Sequence, residues 1–236
     1  MDFLNAIVER AQLMRIYSGL HELSDEMLVG RLKKAFRSHA LYVMDSEHRS
    51  GRDFSLELDV AAKFARNGFE IDFGHDADVK ATKGNFQIFV ECKRLKSENK
   101  VRENIAKGLK QLKNRYKASL NSEACRGVLV LSVAKIHNPR FEFLLGQNVE
   151  DIGEQCAAHV DSFLTRHSRY WHHTGVDQRT LGVALIFDAP GRTLQRNIPF
   201  SLHEVAFDNV VATSSPDYPR FVELMGVFGP YRRVRP

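Results

Sequence analysis

The chain has 236 residues, enough to bury a good core in one large domain or in a domain with extensions. Hydrophobic residues make up 43% and charged residues 27%, the usual balance of a soluble globular protein, and no apolar run approaches the roughly 20 residues of a membrane helix. The net charge of +5 is modest, but the stretch from Lys93 to Lys117 holds ten bases against only Glu98 and Glu103, a concentration that favours a polyanionic partner.

The start, MDFLNAIVERAQLMR, carries acids early and lacks a signal-peptide layout, so it reads as helix over 2–17 on Phe3, Leu4, Ile7, Val8 and Leu13. Ser24 or Asp25 caps a second helix through about Met44, with Leu28, Leu32, Ala35, Phe36 and His39 on its apolar side. Polar residues 45–51 form a loop. A third helix is predicted over 52–67, ending at Gly68, with Leu56, Val60 and Phe64 as its buried stripe and Glu57 at the stripe's edge. Residues 69–73 alternate as a strand with Phe69, Ile71 and Phe73 on one face and Asp72 exposed on the other. The next strand begins near Asp76 or Asp78, turns at Lys83-Gly84-Asn85 and returns as the strand from Phe86 to Lys93.

Residues 97–120 carry the strongest helical pattern, on Val101, Ile105, Leu109, Leu112 and Tyr116, with the bases mainly off that stripe. A buried strand over 127–133 follows, parallel to a neighbour because a helix precedes it. A helix over 149–168, a strand over 181–187, a break at Asp188-Ala-Pro-Gly191 and a strand over 205–213 complete the reading. Cys92, Cys125 and Cys156 are scattered and odd in number, which predicts reduced thiols in a cytoplasmic protein, not a disulfide frame or a zinc site. His167, His172 and His173 have no cysteine or carboxylate at ligand spacing and are expected to be exposed loop histidines.

Strand side chains alternate faces, so Glu91 and Lys93 point one way and Cys92 the other. An Asp across the hairpin completes a cluster of two acids and one Lys, which can hold a divalent metal and activate a water for phosphodiester hydrolysis. Asp76 and Asp78 share a face; Asp78 is favoured by its spacing to Glu91 and by the following Val79, with Asp76 behind it.

This succession of helix, strand, hairpin and basic helix, bearing Asp78, Glu91 and Lys93 with Glu57 upstream, resembles the PD-(D/E)xK nuclease superfamily over roughly residues 53–135. Ala77 stands where the family name has proline. The resemblance implies an α/β, restriction-endonuclease-like domain: a mixed β-sheet flanked by helices over 49–236, with its core at 53–135 and an α/β elaboration over 137–236. An N-terminal helical extension over 1–48 is expected to pack on it. By the same resemblance Asp78, Glu91, the Cys92 backbone carbonyl and Glu57 bind Mg²⁺ (or Mn²⁺). Lys93 then orients or deprotonates the attacking water, or stabilises charge on the phosphate. The last role is preferred, because a lysine base requires a depressed pKa. Gln111 contacts water or phosphate, whereas Tyr116, five residues on and within the apolar stripe, is core. Lys96, Lys100, Lys107 and Lys110 contact phosphates without reading sequence. The expected function is a cytoplasmic DNA endonuclease of restriction, defence or repair, with a homodimer placing two sites on two strands and no membrane partner. The alternatives are a catalytically inactive nucleic-acid-binding or interaction module of the same fold, an RNA-directed nuclease, and a structural protein whose acids and Lys make ordinary salt bridges.

Overall fold

In the computed structural model, which describes residues 2–23, 26–37, 51–119, 124–195, 197–229 and 232–233, helices cover both faces of one mixed sheet. Helices α1 (Asp2–Leu20), α2 (Glu26–Arg37) and α3 (Gly51–Arg66) precede strands β1 (Glu70–Asp72), β2 (Val79–Lys83) and β3 (Phe86–Arg94). A short 3₁₀ turn at Glu98–Lys100 opens helix α4 (Val101–Ala118), which leads to β4 (Cys125–Ser132). Then come α5 (Ala134–His137), β5 (Leu144–Gly146), α6 (Val149–His167), β6 (Thr180–Thr193), β7 (Pro199–Asn209), α7 (Tyr218–Val227) and β8 (Arg232–Arg233). The strand order is β1-β2-β3-β4-β6-β7-β8, with β5 beside the far end of β6. Strands β1, β2 and β3 are antiparallel neighbours, β3, β4 and β6 run parallel, and β7 returns antiparallel to β6.

Alternation along β3 divides the core. Ile88, Val90 and Cys92 join one cluster with Leu56, Val60 and Phe64 of α3, whereas Phe89 joins the other with Val101, Ile105 and Leu112 of α4. Ile88, Phe89 and Val90 are essentially inaccessible, and burying a side chain of this size is worth about 1.5–3 kcal/mol. Tyr116 is core as predicted, its hydroxyl hydrogen-bonded to Thr180 Oγ1 at 3.1 Å. All three cysteines are buried and free. Among the described residues no helix is long and apolar enough to cross a membrane.

Several boundaries differ from the sequence pattern. Strand β6 runs straight through Asp188-Ala-Pro-Gly191, where a break was expected. Its pairing to β4 stops at Ile186 and its pairing to β5 starts at Gly191, so Pro190 sits opposite a gap on that edge, a place that tolerates a residue without an N–H. Strand β7 starts at Pro199 and ends at Asn209, ahead of the expected 205–213, because it pairs with that lengthened β6. The expected cap at Ser24 or Asp25, the stretch from Ser38 to Met44, residues 45–50 of the expected loop and Leu120 lie outside the described residues, while Gly51 already begins α3.

Helix α3 is the other correction. Beyond the expected stripe it buries Leu58, Ala61 and Ala62, and with them Asp59 and Lys63, because α1 and α2 pack over its outer side. The crossing of α1 depends on Gly19, where a Cβ would lie 2.4 Å from the Ala62 carbonyl oxygen and 2.7 Å from its Cα. Gly19→Leu is therefore expected to push α1 off α3 and cost about 1–3 kcal/mol, read as a lower urea midpoint with unchanged slope.

Candidate active site

The parallel crossover from β3 through α4 to β4 leaves the carboxyl end of β3 open, and a cavity of about 470 Å³ lies there. Glu57 from α3, Asp78 from the loop just before β2, Lys93 from β3 and Gln111 from α4 all line it. Local structure places Asp78. Ala77 is buried in the core, and its N–H is accepted by His75 Nδ1 at 3.0 Å, so the preceding loop curls inward. Asp76 points out, with its side chain 91% exposed, whereas Asp78 lines the cavity. Asp72 is an exposed acid as expected, paired with Lys80 at 2.9 Å.

Asp78 Oδ2 accepts the Cys92 N–H at 2.7 Å and lies 3.5 Å from Lys93 Nζ. The same Nζ is 3.6 Å from Glu91 Oε2 and donates to the Cys92 carbonyl at 2.9 Å. One amine thus touches both acids and the carbonyl, so the predicted trio converges. The Cys92 thiol faces the opposite core, as strand alternation requires, and burial raises its pKa well above the ordinary value. Gly108 brings α4 close over β4 and β3: a Cβ there would come within 2.5 Å of Leu129 Cδ1 and 3.6 Å of Lys93 Cγ.

Glu91 is fully buried beneath the cavity. Its Oε1 accepts from Arg115 Nε at 3.1 Å, while Oε2 has no hydrogen-bond donor among the described residues. Burial, and then the charge of Asp78, push its carboxyl up to about 7 against the pull of Lys93 and Arg115. Glu57 accepts from Arg31 Nη1 at 2.7 Å; burial and Asp78 push it up to about 8 despite Arg31. Gln111 Oε1 is buried with no hydrogen-bond partner among the described residues. Lys96, Lys100 and Lys107 line the cavity, whereas Lys110 is exposed on α4 outside it.

These raised carboxyl pKa values have a definite sign. A native acid that keeps its proton above its unfolded pKa stabilises the fold at low pH and loses that contribution as pH rises through the folded value. Below about pH 6.5 the histidines that burial holds low, His137 among them, oppose this trend, so the metal-free protein is expected to melt at progressively lower temperature from about pH 6.5, the ordinary value of histidine, to about pH 8. Glu57→Gln should flatten that slope in calorimetric scans.

Sequence reasoning missed Arg31 and Arg115, whose contacts join distant segments, and a second cluster. Asp59, Asp188 and His203 present ligand atoms within 4.8 Å of one another. A cation already fills that cluster: Arg15 Nη2 is 2.9 Å from Asp59 Oδ2 and 3.1 Å from Asp188 Oδ1, and His203 Nδ1 is 2.8 Å from Asp188 Oδ1. The histidines near Trp171 are also corrected in part. His167 is buried beside Glu98 at 2.9 Å, and His172 pairs with buried Asp208 at 2.8 Å, carboxylates brought close by tertiary packing from 69 and 36 positions away. Comparison with family models, curated proteins and solved structures returns no match.

Proposed function

We propose that this protein is a Mg²⁺- or Mn²⁺-dependent endonuclease of restriction-endonuclease-like fold that hydrolyses phosphodiester bonds in DNA. The observation that carries the reading is the ring of hard oxygens around Lys93 Nζ: Asp78 Oδ2 at 3.5 Å, Glu91 Oε2 at 3.6 Å and the Cys92 carbonyl at 2.9 Å. An ammonium is held where oxygen ligands of the type preferred by Mg²⁺ meet. The buried Glu91 Oε2 has no hydrogen-bond donor among the described residues and meets only the Lys93 ammonium at 3.6 Å, which leaves it the acceptor that a metal site would use. Asp78, Glu91 and the Cys92 carbonyl would hold the ion, with Glu57 facing the same cavity. When bound, the ion supplies Lewis-acid stabilisation of the phosphate and a more acidic water.

The chain's own groups do the rest. With an ion in that ring, the Lys93 ammonium would be displaced towards the scissile phosphate, where it would offset developing charge. Gln111 lines the same cavity, and its buried Oε1 has no hydrogen-bond partner among the described residues, so it would be free to accept from a bound substrate or water. Exposed Arg102, Lys107, Lys110, Lys113 and Lys117 form the outer face of α4 and bind the backbone of the substrate without reading sequence. The test is nicking of supercoiled plasmid with Mg²⁺, Mn²⁺ or a chelator, run in parallel with single-stranded DNA and RNA. Metal-dependent nicking of the plasmid supports the reading. Cleavage confined to RNA moves the substrate, and no cleavage of any of them overturns it.

A further inference from the structure

The segment 73–78, which delivers Asp78, is held by two arginines, one from α2 outside the predicted motif and one from its basic helix. From α2, Arg31 Nη1 donates to Glu57 Oε2 at 2.7 Å and to the Asp78 carbonyl at 2.9 Å, while Nη2 donates to the Phe73 carbonyl at 3.3 Å. From α4, Arg115 Nε donates to Glu91 Oε1 at 3.1 Å and Nη2 to the Asp76 carbonyl at 2.6 Å. Helix α3, on which α2 packs, belongs to one core cluster and α4 to the other, so the two grips come from opposite faces of the sheet. Each guanidinium ties one site carboxylate to the main chain of the loop that carries another. A planar fork can bridge acceptors in this way; a lysine, a single point charge, cannot hold them in fixed geometry.

We propose that Arg31 and Arg115 are positioning residues: a two-sided clamp that sets Asp78 against Glu57 and Glu91 and so preassembles the metal-binding set. This rests on the metal-dependent reading above. It also makes α2 part of the site, not only a packed extension. Both arginine side chains are largely covered, at 15% and 20% exposed, and they are committed to internal acceptors, which sets them apart from the open bases of α4. Charge and positioning predict opposite outcomes. A guanidinium beside the site repels a divalent ion, so as a mere charge its removal tightens binding. As a clamp, its removal loosens the ligands and weakens binding.

The experiment uses the full chain with Arg31→Lys and Arg115→Lys, which keep the charge and lose the fork, and Arg31→Met and Arg115→Met, which lose both. Mn²⁺ affinity is measured by calorimetry, hydrogen exchange of residues 73–78 by mass spectrometry without metal, and plasmid nicking against metal concentration. The expected result is Mn²⁺ binding weakened by about 10- to 100-fold in all four variants. Exchange should quicken in 73–78, and kcat should return towards the wild-type value at saturating metal. Wild-type affinity and exchange in the lysine variants, or tighter Mn²⁺ binding in the methionine variants, overturns the clamp. A wild-type chain that neither binds Mn²⁺ nor cuts overturns the metal reading instead. The exchange measurement needs no metal and still decides whether the arginines hold the loop.

Discussion

Lys93→Ala is expected to slow Mg²⁺-dependent plasmid nicking by about 100- to 1,000-fold, the loss typical of removing one group aimed at transition-state charge. Its Nζ reaches Asp78, Glu91 and the Cys92 carbonyl, so no other described residue occupies its place in the cavity. The accompanying change in metal binding identifies the role. Removing the amine takes a cation away from two acids, so Mn²⁺ binding should be kept or tightened while the rate collapses. Asp78→Ala removes a proposed ligand together with the acceptor of the Cys92 N–H, so it should lose binding and rate together. Single-turnover nicking and Mn²⁺ thermal-shift titrations separate the two cases. Undiminished cleavage in both variants would remove the assigned site.

Arg15→Met carries the largest expected stability effect. Asp59 is wholly buried and Asp188 largely so, and Arg15 contacts both carboxylates. Asp188 keeps His203, but the wholly buried Asp59 loses its hydrogen-bonded counterion, and breaking such a buried pair costs about 3–5 kcal/mol. Replacing all the charged members by apolar residues would escape that penalty, so the effect belongs to the broken pair and not to the presence of a salt bridge. The pH dependence follows from Asp188. Burial raises its pKa, but His203 and Arg15 outweigh burial and hold the carboxyl well below the usual range. A depressed acid contributes stability above its unfolded pKa and loses it as pH falls through the folded value. Urea denaturation should therefore show the gap between wild type and Arg15→Met narrowing below about pH 4, where unfolded Asp titrates. A gap independent of pH would assign the loss to packing of the Arg15 stem.

Strand alternation made the heart of the site legible. Glu91 and Lys93 fall on one face, Cys92 on the other, and the short turn at Gly84 brings Asp78 back beside Glu91. Gly84 adopts φ +56°, the left-handed conformation that glycine enters without strain, so the turn is written in the local sequence. The α4 stripe was readable for the same reason, except that Gly108 and not Leu109 takes the buried central place. Helix α3 was only half readable: Asp59 and Lys63 sit off the expected stripe and look solvated until α1 and α2 cover them. The continuation of β6 through Pro190 was hidden because its tolerance depends on which neighbouring strands stop beside it.

Periodicity along the chain determined the α/β class, the basic helix and the converging Asp78, Glu91 and Lys93, because each rests on which face a nearby side chain takes. Tertiary structure decided the partners. Arg31 finds Glu57 across 26 residues, Arg115 finds Glu91 across 24, and Arg15 joins Asp59 and Asp188 across 44 and 173. Local periodicity fixes which way a side chain points, but the counterion it meets is chosen by packing between distant segments, where burial makes an unpaired charge too costly to leave.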